Sequence, residues 1–521
     1  MKHRVTILLQ ATLTVFLLVQ LGLPSTAHAV DAVRFTVMSY NIHHGERLDG
    51  VIDPGGQARY ILSTGADIIG LQEVDRGTAR TSRVDQAAFF AASTGFHYVF
   101  TPHFDYQGGQ YGLALLSRYP IVAHTSYPLP TAAGSEPKSL LKATVDVNGT
   151  LIDVYVVHLE VRNTSVRQLQ AGAVAEVIRE GTRPSILMGD FNATPDSQVS
   201  FAWRSHLLDS YVAARFLGPA ARMDDDPPDQ RTYTGGGATW PVHEPQNRGD
   251  AIWHSYELRP VGPVQAPLVQ WSDHRPVLAT FEVAGAQARQ AASLPLSWGT
   301  TDQVAIFVSE AAGNWLARSG FEPRAMLEAL TDWFTAGGFE VVSVDRPSLA
   351  PAGSIIVLPG GRFISADELG ELYRHVEAGG GVIAWADAGV EGSGGGDVVS
   401  DFEALFGIEY LGWSYGYPTR DAVWVDLDAA LWPAGMPQSA RFWQLEGPAV
   451  RVLPGAKVLA SWRTRAGEPA YRPEMGAAIV QNGRTLYFGA APLHPLDRDN
   501  PEMRALVIGL VRYLGRAQGG G

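Results

Sequence analysis

Cysteine is absent from all 521 residues, which excludes disulfides, zinc–thiolate sites, iron–sulfur clusters and a thiol nucleophile. Charge is sparse as well: 18% of residues are Asp, Glu, Lys or Arg, below the roughly 25% of ordinary globular chains. What charge there is leans acidic, 40 basic against 53 acidic residues for a net −13, so no polybasic surface exists to grip a nucleic-acid backbone. Beyond Leu23 no run reaches the ~18 uninterrupted apolar residues of a membrane span. Any chemistry must therefore use oxygen and imidazole groups. Hydrophobic residues, by contrast, make up 46% of the chain, ample for more than one core, and the length suggests two or three domains.

Lys2 and Arg4 precede an apolar run from Val5 to Leu23, then Pro24 and the small-residue pattern Ala27-His28-Ala29. This three-part pattern predicts a secretory signal over residues 1–29, cleaved after Ala29, and a mature protein that is secreted or held in the cell envelope without a transmembrane segment. The alternative is an anchor retained uncleaved. Residues 30–285 alternate short apolar runs (RFTVMSYNI, ADIIGLQEV, LALLSRYPI, LLKATVDV, LIDVYVVHL, PSILMGDFN, PVLATFEV) with polar loops and helix-like segments over 85–94 and 165–180. They read as an α/β domain. Residues 286–301 lack strong periodicity and are expected to be a linker. Residues 302–521 open with strands separated by helices around 325–336 and 365–377, which predicts crossover connections and a flavodoxin-like, mostly parallel sheet. Asp224-Asp225-Asp226 beside Pro227-Pro228 reads as a solvated loop.

Six polar clusters sit where apolar runs of the first domain begin or end: Asn41 in SYNIHHG, Glu73 in LQEVD, His158 in VVHLE, Asp190 with Asn192 in GDFN, Asp250 in NRGDAIW, and Asp273-His274 in SDHRP. Loops at one rim of a sheet can gather such residues. Hydrolysis of a phosphate ester needs a hard cation, a group that deprotonates water and donors for the developing charge. Asn41 and Glu73 offer oxygens suited to Mg2+, with Mn2+ as an alternative. His274 can act as general base, and Asp250 would fix its tautomer. Asp190 can align the water, while Asn192 and His158 donate to phosphoryl oxygens. Singly, each has a plainer reading: a turn at Asn41, a rim ion pair of Glu73 with Arg76, a core-edge histidine at His158, an Asx turn at Asp190 and Asn192, or a turn cap at Asp250. Arg76, Arg167 and Arg275 serve equally well as substrate or structural cations. His43 and His44, adjacent on a strand, would point apart and so are not expected to pair on a metal.

GDFN, SDH before an apolar strand and LQE after one are specific together, and the chain from about 33 to 283 resembles the endonuclease/exonuclease/phosphatase, or DNase-I-like, superfamily. The resemblance implies a four-layer α/β sandwich with one site at one end. It implies metal ligation by Asn41 and Glu73, orientation of the nucleophile and stabilisation of the transition state by Asp190 and Asn192, phosphate contact by His158, and an acid–base pair of Asp250 and His274. Asp273 follows as a further metal-proximal carboxylate. Tyr111 lies one residue from a phosphate-contacting tyrosine of some nuclease branches and is not counted among the site residues. Where several nucleases carry an acidic residue two after the metal-binding Asn, this chain has His43, which leaves open the number of metals. The wording SYNIHHG, DIIGLQEVDRG and DYQGGQYGLALLSRYP is also similar to a bacterial branch of metal-dependent hydrolases and to a domain of lipid-anchor remodelling proteins.

Residues 31–283 carry 20 Lys and Arg against 27 Asp and Glu, net −7, which favours a small or lipid-linked phosphodiester over duplex DNA. The second domain resembles class I glutamine amidotransferases, yet its strand-to-helix turn reads Trp385-Ala386-Asp387-Ala388-Gly389 and holds no cysteine, so amidotransfer is excluded. His494 is then unlinked to any nucleophile. Trp413, Tyr415, Tyr417, Trp424, Trp432 and Trp443 read first as core and second as a sugar-stacking surface for a carbohydrate or envelope partner. The combined expectation is an exported, Mg2+-dependent phosphodiesterase. The alternatives are an extracellular nuclease of the same mechanism and a non-catalytic glycan- or surface-binding protein.

Overall fold

The structure is a computed structural model that describes residues 33–219, 236–283, 290–295, 299–318, 322–393, 398–415, 423–427, 439–442, 446–464, 467–490 and 499–516. The expected secretory signal over residues 1–29, Asp224–Asp226, Tyr417, Trp432, Trp443 and His494 lie outside the described residues. No helix among those described is long and apolar enough to cross a membrane.

The first unit runs β1 (Arg34–Asn41), α1 (Pro54–Ser63), β2 (Ile68–Arg76), α2 (Gln86–Thr94), β3 (His97–Tyr106), β4 (Gly109–Ser117), β5 (Ile121–Pro128), β6 (Ser139–Val147), β7 (Thr150–His158), α3 (Thr164–Arg179), β8 (Ser185–Asp190), β9 (Leu208–Asp209), α4 (Ser210–Leu217), β10 (Asp250–His254), β11 (Leu258–Pro260) and β12 (Val277–Val283). Two six-stranded sheets result, ordered β11-β12-β1-β2-β4-β3 and β5-β6-β7-β8-β10-β9. Period-two alternation decides which side chains meet. Val154, Val156, Ile186 and Met188 face the first sheet's Phe35, Val37, Leu113 and Leu115. Between them, Tyr155, Val157 and Leu187 point outward onto Val174, Ala175 and Ile178 of α3. On the other flank Met38, Tyr40, Ile69 and Leu71 pack on Ile61 of α1 and Phe90 of α2. The layers are helix, sheet, sheet, helix: a mixed α/β arrangement consistent with the DNase-I-like expectation.

The second unit has a nine-stranded sheet. Glu340–Val344, Gln303–Phe307, Ile355–Leu358, Gly381–Trp385 and Thr485–Phe488 pair in parallel, in that order. Ala477–Asn482, Lys457–Arg463, Val423–Leu427 and Ser439–Phe442 then continue the sheet antiparallel. The expected mostly parallel sheet is therefore mixed. Helical crossovers enforce parallel pairing only where they occur, whereas the tight turn at Gly483 joins two neighbours as a hairpin. The expected linker is docked in its described part: Ala292 donates to the Ala404 carbonyl (2.7 Å) and accepts from Asn482 Nδ2 (3.0 Å).

The two units share one apolar wall. α4 lies against the strand Ile408–Tyr415, with the Phe216 ring 5.5 Å from Tyr410 and 5.4 Å from Trp413. Trp413 is thus core, as first read. The side chains of Tyr415 and Trp424 are outside the described residues. Arg362 donates to the Gly218 carbonyl and Arg451 to that of Tyr256.

Candidate active site

β1 and β2 run parallel, as do β7 and β8, so Asn41, Glu73, His158 and Asp190 all lie toward the same rim. Register does the rest: His158 neighbours Asp190 across the parallel pair and Asp250 neighbours Asp190 across the antiparallel one. Gly189 permits this close pairing, because a Cβ there would fall 2.1 Å from the Val157 carbonyl oxygen.

His274 Nδ1 lies 2.9 Å from Asp250 Oδ2, which also accepts the Thr239 hydroxyl at 2.6 Å. The other ring nitrogen, Nε2, is 3.9 Å from Asp190 Oδ2. Burial alone would discharge the imidazole, but the carboxylate of Asp250, helped by Asp190 and Asp273, raises its pKa to about 10. Asp190 is fully buried. That burial, and then the charge of Asp250, push its carboxyl well above the usual range against the pull of His274 and of hydrogen bonds from Asn192 and Asn41. Asn192, at φ 48°, donates its backbone N–H to Asp190 Oδ1 (3.0 Å) and its amide to the Leu159 carbonyl (3.0 Å). His158 Nε2 sits 3.8 Å from Asp190 Oδ2. Burial first and the Lys138 charge second hold His158 down at about 3, so its ring is neutral.

Glu73 occupies the bulge between Leu71 and Val74, at φ 61°. The bulge re-aims its carboxylate into the rim. Burial opposes ionisation there, but the His44 ring 4.0 Å away and the hydrogen bond donated by the Asn41 amide hold Glu73 well below the usual carboxylate range. Asn41 turns its amide nitrogen toward Glu73 Oε1 (3.1 Å) and Asp190 Oδ2 (3.2 Å), while its oxygen accepts the His43 N–H (3.1 Å). Rotation of that amide would exchange the two atoms. The Asp273 side chain is 40% exposed and faces His43 Nδ1 at 3.9 Å. It belongs to neither of the two compact donor groups among the described residues, His43–His44–Glu73 and Asp190–Asp250–His274.

The sequence reading that His43 and His44 point apart is corrected here. The strand ends at Asn41, and both histidines sit in a tight turn at φ 47° and 45°, their ring centroids 4.5 Å apart. Two such residues cost on the order of 1–3 kcal/mol each, a strain that clusters at functional sites. The suggested Glu73–Arg76 pair does not form either: Arg76 donates to Gln110 and lies over the Phe100 ring. Arg167 binds the carbonyls of Glu160 and Val161, and Arg275 that of Val242, so both serve the loops.

A cleft of about 570 Å³ is lined by Glu73, His158, Asp190, Asn192 and His274, to which Tyr111, Lys138, Val161 and Trp240 are added, whereas Asn41, Asp250 and Asp273 are not part of its lining. Tyr111 thus enters the site after all. Lys138 gave no signal beyond a lone cation before an apolar run; its side chain is 1% exposed and its Nζ is 3.2 Å from Glu136 Oε2.

Residues 38–353 match the endonuclease/exonuclease/phosphatase family, more than half of the chain. The chain belongs to that family. Members of the endonuclease/exonuclease/phosphatase family are hydrolases of phosphoester bonds and typically depend on a divalent metal. Among curated proteins, Protein cwh43 of Schizosaccharomyces pombe is 35% identical over 124 residues; that is 24% of this chain and only 12% of that protein's length. Among solved structures, an endonuclease/exonuclease/phosphatase from Beutenbergia cavernae is 24% identical, covering 49% of this chain and 72% of its own at a TM-score of 0.38. A mannosyl-6-phosphatase of Bacteroides thetaiotaomicron is 18% identical, covering 47% and 99% at 0.37.

Proposed function

We propose that this family member is an exported phosphoric ester hydrolase, acting on a phosphodiester that is small or lipid-linked. The observation that carries the reading is the Asp250–His274–Asp190 row, in which a carboxylate-held imidazole turns its free nitrogen to a second carboxylate at the cleft. An oxygen seated there can reach both groups. Asp190 would orient the attacking water, and His274 Nε2 would take its proton in the fraction of molecules whose ring is neutral, with Asp250 stabilising the resulting imidazolium, so that turnover should rise as pH climbs toward about 10. Asn192 and His158 would donate to the phosphoryl oxygens, with Lys138 supplying fixed positive charge behind them. Glu73, kept ionised at the cleft wall, fits a divalent cation, Mg2+ or Mn2+, with Asn41 beside it. Such an ion, when bound, neutralises nonbridging oxygens of the ester.

The net −7 of the first domain and the apolar wall of Tyr111, Val161 and Trp240 support a small or lipid-linked substrate over duplex DNA. Export rests on the leader. For residues 302–521 the proposal is an amidotransferase-like module without its cysteine, serving to stabilise the catalytic unit or to hold an envelope carbohydrate.

The test is a panel of activated phosphodiesters, phospholipid head groups, inositol phosphates and DNA, assayed with and without chelator and with His274→Ala. Chelator-sensitive turnover that falls by about 100-fold or more in the variant is expected for loss of a general base. Equal rates in variant and parent would reject the mechanism. DNA turnover with steep salt inhibition would favour a nuclease instead.

A further inference from the structure

We propose that His44 and His43 join Glu73 in an imidazole–carboxylate cation site, so that the metal end of the cleft binds a borderline ion such as Mn2+, Co2+ or Zn2+ through nitrogen rather than Mg2+ through oxygen alone. The inference rests on the reading of the cleft as a metal-assisted site and names which atoms of this chain the ion would touch. Three observations carry it. First, the donor atoms of His43, His44 and Glu73 lie within 4.8 Å of one another, and His44 Nδ1 is 4.0 Å from Glu73 Oε2. Two donors each ~2.1 Å from one ion are at most about 4.2 Å apart, so this pair already has the required spacing.

Second, His44 is only 9% exposed, and its Nδ1 is buried with no hydrogen-bond partner among the described residues. A buried ring nitrogen left unpaired beside a carboxylate is costly unless something else satisfies it. Third, the opposite nitrogen, Nε2, lies 3.1 Å from Glu46 Oε2. A carboxylate on the far side of the ring sets the tautomer with the proton on Nε2 and turns the lone pair of Nδ1 toward Glu73, the arrangement that metal-bound histidines almost always adopt. The main chain holds the ring in place, since Gln86 Nε2 donates to the His44 carbonyl at 2.7 Å. Imidazole donors favour manganese-to-zinc ions over magnesium, which prefers an all-oxygen octahedron.

The deciding measurement is pulsed electron paramagnetic resonance of Mn2+ added to the full chain after chelator treatment. The spectrum reports directly whether imidazole nitrogen is bound, with or without turnover. Nitrogen coupling is expected in the parent protein and should weaken in His44→Ala, with Mn2+ affinity down at least 10-fold; Glu46→Gln should lower affinity by about 10-fold through the ring it orients. Mg2+ affinity should change far less. Mn2+ bound without nitrogen coupling, or no binding at all, would overturn the site whatever the variants do. Coupling without hydrolysis of any ester would leave the site standing and reject the proposed function. Hydrolysis supported by an ion without nitrogen coupling would do the reverse.

Discussion

At the scale of single residues, the site is a contest between burial and charge. His274 is held protonated by Asp250, so its contribution to stability is fully present below its ordinary value of 6.5 and is lost as pH rises through about 10. The raised Asp190 carboxyl acts in the same direction, since it too keeps a proton that the unfolded chain releases. Calorimetry in chelator should therefore show the melting temperature falling from about pH 6.5 to 10, and His274→Gln should flatten that fall. A melting curve with the same pH slope in both proteins would contradict the assignment. Asp250→Asn keeps the hydrogen-bonding shape but removes the charge. The His274 resonance should then titrate nearer 6.5, with turnover down by about 100-fold or more. Lys138 is a different case: buried beside the Tyr111 ring and paired to the more exposed Glu136, it is placed to attract an anion. Lys138→Met should raise KM for a phosphate ester more than it lowers kcat, read from steady-state kinetics.

At the scale of elements, strand ends and irregularities decide what the cleft receives. Gly189→Ala would thrust a methyl group into the Val157 carbonyl and part β7 from β8, the ladder that sets His158 beside Asp190. A loss of about 1–3 kcal/mol in urea unfolding is expected, as for overpacked cores, together with lost activity. The regular parts were legible beforehand: α3 spans Thr164–Arg179 where apolar spacing placed a helix over 165–180, and α2 spans Gln86–Thr94 behind the Asp85 cap. GDFN marked the end of β8 and SDH the approach to β12, and these do meet, whereas LQE lies inside β2 rather than at its end. The irregular parts were not legible. Nothing in LQEVD announces the bulge at Glu73, nor does the register shift between Pro102 and Phe104, opposite Tyr111, show in a hydrophobic pattern. One extra residue moves every later side chain of its strand to the other face. His43 and His44 escaped for a related reason, because a strand rule was carried one residue past the point where the strand stops.

At the scale of the whole molecule, the two units meet through aromatic rings as well as hydrogen bonds. Phe216→Ala, which removes a ring packed on Tyr410 and Trp413, should cost about 3–5 kcal/mol, the range for large buried aromatics. If the wall couples the units, calorimetry should show one transition in the parent protein and two in the variant; two transitions in both would make them independent. Every residue that lines the cleft falls between Glu73 and His274, so the second unit adds no chemical group to it among the described residues. Because the cleft is lined from the first unit alone, a jaw-like swing of one half against the other would not by itself open it to a ligand. Entry and exit are left to rotations of rim side chains such as Trp240, and turnover would be paced there or in the chemistry itself.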